Sequence, residues 1–479
     1  MLFNSVDFAV FLPIVFLLYW TVASRHVWLQ NLFVAVVSYV FYGWWDVRFL
    51  SLIAISTLVD YGVGLGLGAT NAPGRRKVLL WTSLVTNLGI LGFFKYCNFF
   101  ADSLVSSFSF LGVELSIHSL NIVLPVGISF YTLQTLSYTI DVYRGKLEPT
   151  RDLLAFAAFV SFFPQLVAGP IERAGHLLPQ FLTSRQFDCA KAFDGLRQIL
   201  WGLFKKVVIA DNCAICAGEA FSGYEEYNSL SLLLGAFCFS LQIYCDFSGY
   251  SDIAIGTARL FGMSLKRNFA FPYFSRDIAE FWRRWHISLS TWFRDYVYFP
   301  MGGSKCSTAR MIRNTFIVFI VSGLWHGANW TFVVWGFLNA LYFLPLQILG
   351  INRRFVETEG SSPALLPTFR EVFQIGTTFG LTVLAWVFFR AESLTHAFAF
   401  LGRIFAFDMV SKSIYVPSGL FAIIAGFLIT EWVQRGRQHP LELPAKPLPL
   451  PARWATYYAV LLLILICGGE QQDFIYFQF

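Results

Sequence analysis

The chain has 479 residues, enough for about three average soluble domains, but its composition excludes them. Charged residues make up 13% where a soluble protein carries about 25%, and hydrophobic residues reach 56%. A water-soluble globular protein, a disordered chain and a fibrous repeat are thereby ruled out, and the net charge of +6 reads as cytoplasmic loop charge rather than a nucleic-acid footprint. No nucleic-acid partner is expected. The load of 53 Phe, 20 Tyr and 15 Trp suits surfaces facing membrane lipids, interfacial belts and apolar tunnels.

A crossing needs about 20 largely apolar residues. In chain order, the runs 6–22, 31–45, 49–69, 78–94, 120–140, 196–217, 229–248, 314–349, 371–389, 416–433 and 454–468 read as spans, with 314–349 long enough for two legs. The first run carries Asp7, lacks a basic n-region and has no small-residue cleavage site, so it is expected to be retained. Lys and Arg favour the cytoplasmic side. The segments Arg75–Lys77, Arg144–Arg151, Arg185–Lys206, Lys266–Arg313, Arg353–Arg354 and Arg435–Arg437 therefore read as cytoplasmic. Stretches with Asp102 and Glu114, or with Glu219, Glu225 and Glu226, read as external, and this count puts both termini outside.

The parity requires residues 152–170, which contain LLAFAAFVSFFPQLVAG, not to cross. We read them as re-entrant, broken at Pro164 and again at Gly169–Pro170, a form tolerated where backbone lines a protein cavity. A Pro-kinked span with another run miscounted is the alternative. Residues 1–479 are taken as one all-α, polytopic membrane domain of about 11–12 spans with re-entrant and interfacial helices. The eight cysteines lack the spacing of a zinc site or a disulfide scaffold, and Cys213 with Cys216 reads as packing at the end of an apolar run.

Four stretches carry chemistry-bearing residues. Arg276–Ser304, RDIAEFWRRWHISLSTWFRDYVYFPMGGS, is the least membrane-like. At helical spacing Phe281, Trp285, Ser288 or Leu289, and Trp292 share a face, while Arg276, Asp277, Arg283, Arg284, Arg294 and Asp295 supply charge. That pattern fits an amphipathic helix lying in the cytoplasmic interface or packed over a tunnel mouth, with His286 as its titratable exception. Within the apolar run 314–349, the motif SGLWHGANW holds Trp325, His326 and Asn329, and the run is expected to turn near Gly327–Asn329. Twelve residues from Asn314 span about 18 Å of helix, so His326 falls inside a hydrocarbon core of about 30 Å. An intramembrane histidine is a functional-site candidate, able to act as a general base or as a proton relay in a transporter. It is equally able to be a structural group bonded across helices. The third stretch, CDFSGYSDIAIG, brings Asp246, Ser248 and Asp252 to the end of a span, as a tunnel entrance or as helix caps. The ending GEQQDFIYFQF carries Tyr476, either an interfacial aromatic or a phenol able to hold an acyl group.

These motifs, together with LVAGPIER at Leu166–Arg173, resemble the membrane-bound O-acyltransferases, and within them the bacterial alginate O-acetyltransferase branch that includes cellulose and peptidoglycan acetylation proteins. The resemblance implies a helical fold around a central tunnel, with His326 as the catalytic histidine and His286 as the second family histidine. It implies an acyl thioester donor, acetyl-CoA, arriving from the cytoplasm, with Arg283, Arg284, Lys266 and Arg267 attracting its phosphates. No metal and no tightly bound cofactor are called for. The tail also resembles the terminal motif of a small partner peptide in teichoic acid D-alanylation, which makes Tyr476 the implied acyl relay to an extracytoplasmic O-acetyltransferase partner and a polysaccharide acceptor. Trp285, Trp325, Asn329, Asp246, Ser248 and Asp295 are expected to support the site, in a bacterial inner membrane. D-alanyl transfer from a carrier protein and proton-coupled transport are the rival readings.

Overall fold

The structure, a computed structural model, describes every residue except 114–119, 121, 168, 357–364, 444–448 and 478–479, together with the side chain of Phe477. Glu114 therefore lies outside the described residues. Among those described, helices dominate and there is no strand, so the all-α reading holds. Among the described residues, six helices are long and apolar enough to cross a membrane, namely Val47–Ala69, Pro73–Phe110, Ser229–Leu260, Trp330–Ile348, Phe369–Arg390 and Leu450–Cys467. Four shorter apolar helices join them: Val6–Thr21, Val27–Gly43, Leu394–Phe405 and Ser418–Gln434. The chain is a multi-pass membrane protein.

Two compact units are resolved, residues 1–195 with 257–266 and residues 196–256 with 267–479. In the first, polar side chains that would be costly in lipid are satisfied across helices. The Asp60 carboxylate accepts from Ser83, from Asn87 at 2.8 Å and from Thr139 at 3.1 Å, and Ser56 donates to Asn87 at 2.7 Å. These bonds tie together Leu50–Ala69, Pro73–Leu91 and Ile128–Tyr143.

Two sequence expectations in this unit are corrected. The run 78–94 does not end before Asp102, because a π-helical turn at Gly92–Tyr96 carries Pro73–Leu91 directly into Cys97–Phe110. The run 120–140 becomes helical only at Ile128, after Gly127 takes a left-handed conformation with φ 73°. The segment read as re-entrant contains a helix of nine residues, Leu153–Ser161, about 14 Å long and too short to cross. It breaks at Phe162, just ahead of Pro164, and a single turn follows at Phe163–Leu166.

The chain enters the second unit at Leu196, within the helix Cys189–Leu203, which passes through a π-helical stretch, Phe204–Ala210, into Asp211–Ser222. This stretch lies against Ser229–Leu260 where Gly202 meets Gly249, and a Cβ on either glycine would stand 2.6–2.8 Å from the other's carbonyl oxygen. Small residues let the backbones approach this closely. Lys205 and Lys206, counted above with a cytoplasmic loop, are instead helical and almost wholly buried. Asp246 and Asp252 lie inside the 32-residue helix Ser229–Leu260 rather than capping its end. Thr308–His326 and Trp330–Ile348 form a hairpin that turns at residues 327–329, as expected.

Candidate functional site

The two motif histidines meet in the second unit. His286 and His326 are 1% and 3% exposed, and their ring centroids lie 6.2 Å apart. The expected single amphipathic helix does not form around His286. It is split into Ile278–Arg284 and Ile287–Phe293 because His286 adopts a left-handed conformation, φ 42°. Such a backbone in a bulky residue must be held by its surroundings, and Asn268 holds it. The Asn268 carbonyl accepts from Ile287 N–H at 2.9 Å and its side-chain oxygen from the Ser288 hydroxyl at 2.9 Å, while Ala270 N–H donates to the Arg284 carbonyl at 2.9 Å. Asp277 caps the preceding helix by accepting from Glu280 N–H at 2.7 Å. The stripe of Phe281, Trp285, Leu289 and Trp292 is buried, so it packs inward rather than anchoring at an interface. His286 lies outside the six spans, and burial holds its imidazole at about 3, below the usual histidine value, so it is neutral at physiological pH.

His326 is the last residue of Thr308–His326, and Asn329 caps the return helix by accepting from Thr331 N–H at 3.0 Å. Asn329 also donates to the Glu392 carbonyl at 2.9 Å, which pins the turn. Around His326 stand Trp325 at 5.0 Å, Trp335 at 5.2 Å and Phe389 at 5.3 Å between ring centroids. Tyr476 completes the set, 5.6 Å from His326 and 6.5 Å from His286, with Phe247 against its ring at 4.5 Å. A phenol and two imidazoles thus share one aromatic-lined interior.

The other expected residues divide. Asp246 accepts from Ile475 N–H at 2.7 Å and pairs with Lys206 at 2.9 Å, so it meets the tail. Ser248 accepts from Lys205 Nζ at 2.8 Å, and Lys205 pairs with Asp252 at 2.6 Å. Trp285 is fully buried against Trp386 at 5.0 Å. Asp295, half-buried, pairs with the exposed Arg294 at 2.8 Å. Arg284 is paired with Glu280 at 2.8 Å, and Arg267 stacks 4.8 Å over Phe271 in a polar cavity shared with Lys205, Asp252 and Glu431. Lys266 belongs to the first unit. Of the four cations expected near a donor, Arg283 alone lines the apolar groove between Ile278–Phe293 and the 308–348 hairpin.

That groove, about 680 Å³, falls within the size range of ligand sites. Trp282, Val318, Phe319 and Phe343 line it, Arg283, Arg294 and Arg353 rim it, and it touches Ile287 and Ser322. Ile287 follows His286, and Ser322 lies one helical turn before His326. Reading the sequence missed this groove, Asn268, and the partners of Lys205 and Lys206. The signal for the last was present: two lysines and three aspartates, Asp211, Asp246 and Asp252, inside apolar helices need one another. Four cysteines, Cys213, Cys216, Cys238 and Cys245, are buried and free.

Fold and site together define an integral membrane protein whose titratable groups converge inside the bundle. Residues 147–375 match MBOAT, the membrane-bound O-acyltransferase family. The chain is 42% identical over 411 residues to the probable alginate O-acetylase AlgI of Pseudomonas putida, covering 85% of this chain and 81% of that protein. It is 34% identical to the peptidoglycan O-acetyltransferase of Helicobacter pylori, over 86% and 81% of the two chains. Similarity to the teichoic acid D-alanyltransferase of Bacillus subtilis is 29% over 46% of this chain and 58% of that protein. The chain belongs to the membrane-bound O-acyltransferase family, and it is an O-acyltransferase.

Proposed function

We propose that the protein moves an acetyl group from a cytoplasmic thioester donor, acetyl-CoA, to the outer face of a bacterial cytoplasmic membrane for O-acetylation of an exported polysaccharide such as alginate or cellulose. The observation that carries this reading is the approach of Tyr476 to the His286 and His326 pair. His326 takes the phenol proton of Tyr476 as the phenol oxygen attacks the thioester carbonyl. The carbon–sulfur bond breaks, the proton passes to the departing thiolate, and Tyr476 carries an acetyl ester. At the C-terminal end of a helix, where unpaired carbonyls favour positive charge, the transient imidazolium of His326 is supported. A neutral His286 retains one ring N–H to donate to the developing oxyanion.

The groove beside both histidines gives a thioester an apolar approach, with Arg283, Arg294 and Arg353 at its rim for phosphates. With both termini outside, the ester on Tyr476 reaches an extracytoplasmic transferase that hands the acetyl group to a sugar hydroxyl. Acetylation is preferred to D-alanylation because the acetylating relatives match over most of the chain and the D-alanylating one over less than half. Tyr476→Phe removes only the hydroxyl, so the exported polysaccharide should be unacetylated while the melting temperature is unchanged. Full acetylation by that variant overturns the relay.

A further inference from the structure

The C-terminal segment is held by its main chain, and the groups that hold it are charged and buried. Lys206 Nζ lies 2.9 Å from Asp211 Oδ1 and 2.9 Å from Asp246 Oδ1, and it donates to the Gln472 carbonyl at 2.9 Å. Asp246 Oδ2 accepts from Ile475 N–H at 2.7 Å. Upstream, Asn212 donates to the Cys467 carbonyl at 2.9 Å and Gly469 N–H to the Val207 carbonyl at 3.3 Å. Residues 467–475 therefore run along the π-helical stretch Phe204–Ala210 and the turn after it. The wider π turn lets the neighbouring lysines face different aspartates, Lys205 toward Asp252 and Lys206 toward Asp246 and Asp211.

We propose that Lys206, Asp211 and Asp246 form a clamp that reads the main chain of residues 472–475 and so sets the position of Tyr476 between His286 and His326. They are positioning residues, since they touch the tail and not the reacting atoms. The count of donors and acceptors argues for this role over simple helix pairing. Two carboxylates facing one lysine present more oxygens than it can satisfy, so the buried cluster needs a further donor, and the Ile475 N–H is such a donor. Lysine and aspartate matched one to one would join the two helices without the tail. Phe474 and Ile475, 0% and 1% exposed, add an apolar anchor, with Phe474 4.3 Å from Tyr250. Tyr476 follows at once, so a slip of one residue at the clamp would replace the phenol at the histidines by a neighbour.

The consequence for transfer rests on Tyr476 being the acyl carrier; the docking itself does not. The test uses the full chain in lipid nanodiscs, as wild type, Asp246→Asn, Asp246→Ala and Gln471→Ala. Amide hydrogen exchange is measured at residues 472–476, and acetyl-CoA cleavage gives kcat and donor KM. Asp246→Ala should speed exchange at 472–476 and lower kcat, each by roughly tenfold or more, with donor KM unchanged. Asp246→Asn keeps an oxygen for the Ile475 N–H and should fall between it and wild type, whereas Gln471→Ala, at an exposed residue outside the clamped stretch, should match wild type. Equal losses in Asp246→Asn and Asp246→Ala would assign the residue to charge pairing alone and overturn the clamp, as would unchanged exchange in Asp246→Ala. Faster exchange with unchanged kcat would overturn the positioning role. Wild-type turnover by Tyr476→Phe would instead remove the relay, so the two failures are told apart.

Discussion

The close crossing of Gly202 and Gly249 gives a quantitative prediction. A Cβ at Gly202 would stand 2.6 Å from the Gly249 carbonyl oxygen, 2.8 Å from Ile253 Cγ1 and 3.1 Å from Ile253 N. Two of these obstacles are backbone and cannot rotate away. An ordinary carbon–oxygen contact is about 3.3 Å, so Gly202→Ala must part the helices by about 0.7 Å. Overpacking of this kind costs about 1–3 kcal/mol, and the better helix propensity of Ala returns up to about 1 kcal/mol. A net loss near 1 kcal/mol follows. Lys206 lies one turn away, so its contacts with Asp211 and Asp246 lengthen with the crossing. Misplacement of a reacting group by about 1 Å can cost about a hundredfold in rate, and kcat should fall by about ten- to a hundredfold. Thermal unfolding in nanodiscs and acetyl-CoA cleavage measure both. Gly218→Ala is the control, since nothing lies within 4 Å of its added Cβ; it should be stabilising and fully active. A Gly202→Ala variant as stable and active as that control would refute the crossing argument.

The buried His286 makes stability pH-dependent. Below an ordinary value of 6.5 the unfolded chain takes up a proton that the folded chain refuses until about 3, so stability present above 6.5 is lost as pH falls. The loss should reach about 2 kcal/mol between pH 6.5 and 5, and His286→Gln should flatten the slope of melting temperature against pH. Identical slopes in the two proteins would contradict it. Asn329→Ala removes the helix cap and the bond to the Glu392 carbonyl and should cost about 1–2 kcal/mol, read as a lower melting temperature; an unchanged melting temperature would mean that the turn after His326 is held by other contacts.

Much of this was legible because hydropathy reports on lipid. The hairpin turn after His326 follows from an apolar run too long for one crossing and interrupted by Gly327–Asn329. The short, broken helix at Leu153–Ser161 follows from the parity of basic loops and from Pro164. The two histidines and Tyr476 were named from their motifs, but motifs carry no distances, and the convergence of all three came only with the fold. Periodicity failed at His286 because a single left-handed residue, fixed by the distant Asn268, divides a pattern that is otherwise helical. Charge reading failed at Lys205 and Lys206, which resemble a loop flank yet pair with Asp252 and Asp246 of a separate helix, Lys206 also with nearby Asp211.

The central claim is that His326 drives acyl transfer to Tyr476. Its most direct test gives purified wild type and His326→Ala, both in lipid, acetyl-CoA with a radiolabelled acetyl group, and follows free CoA and label on the C-terminal peptide. CoA release and a labelled Tyr476 are expected in wild type, and neither in His326→Ala. Equal release and labelling in the two proteins would contradict it.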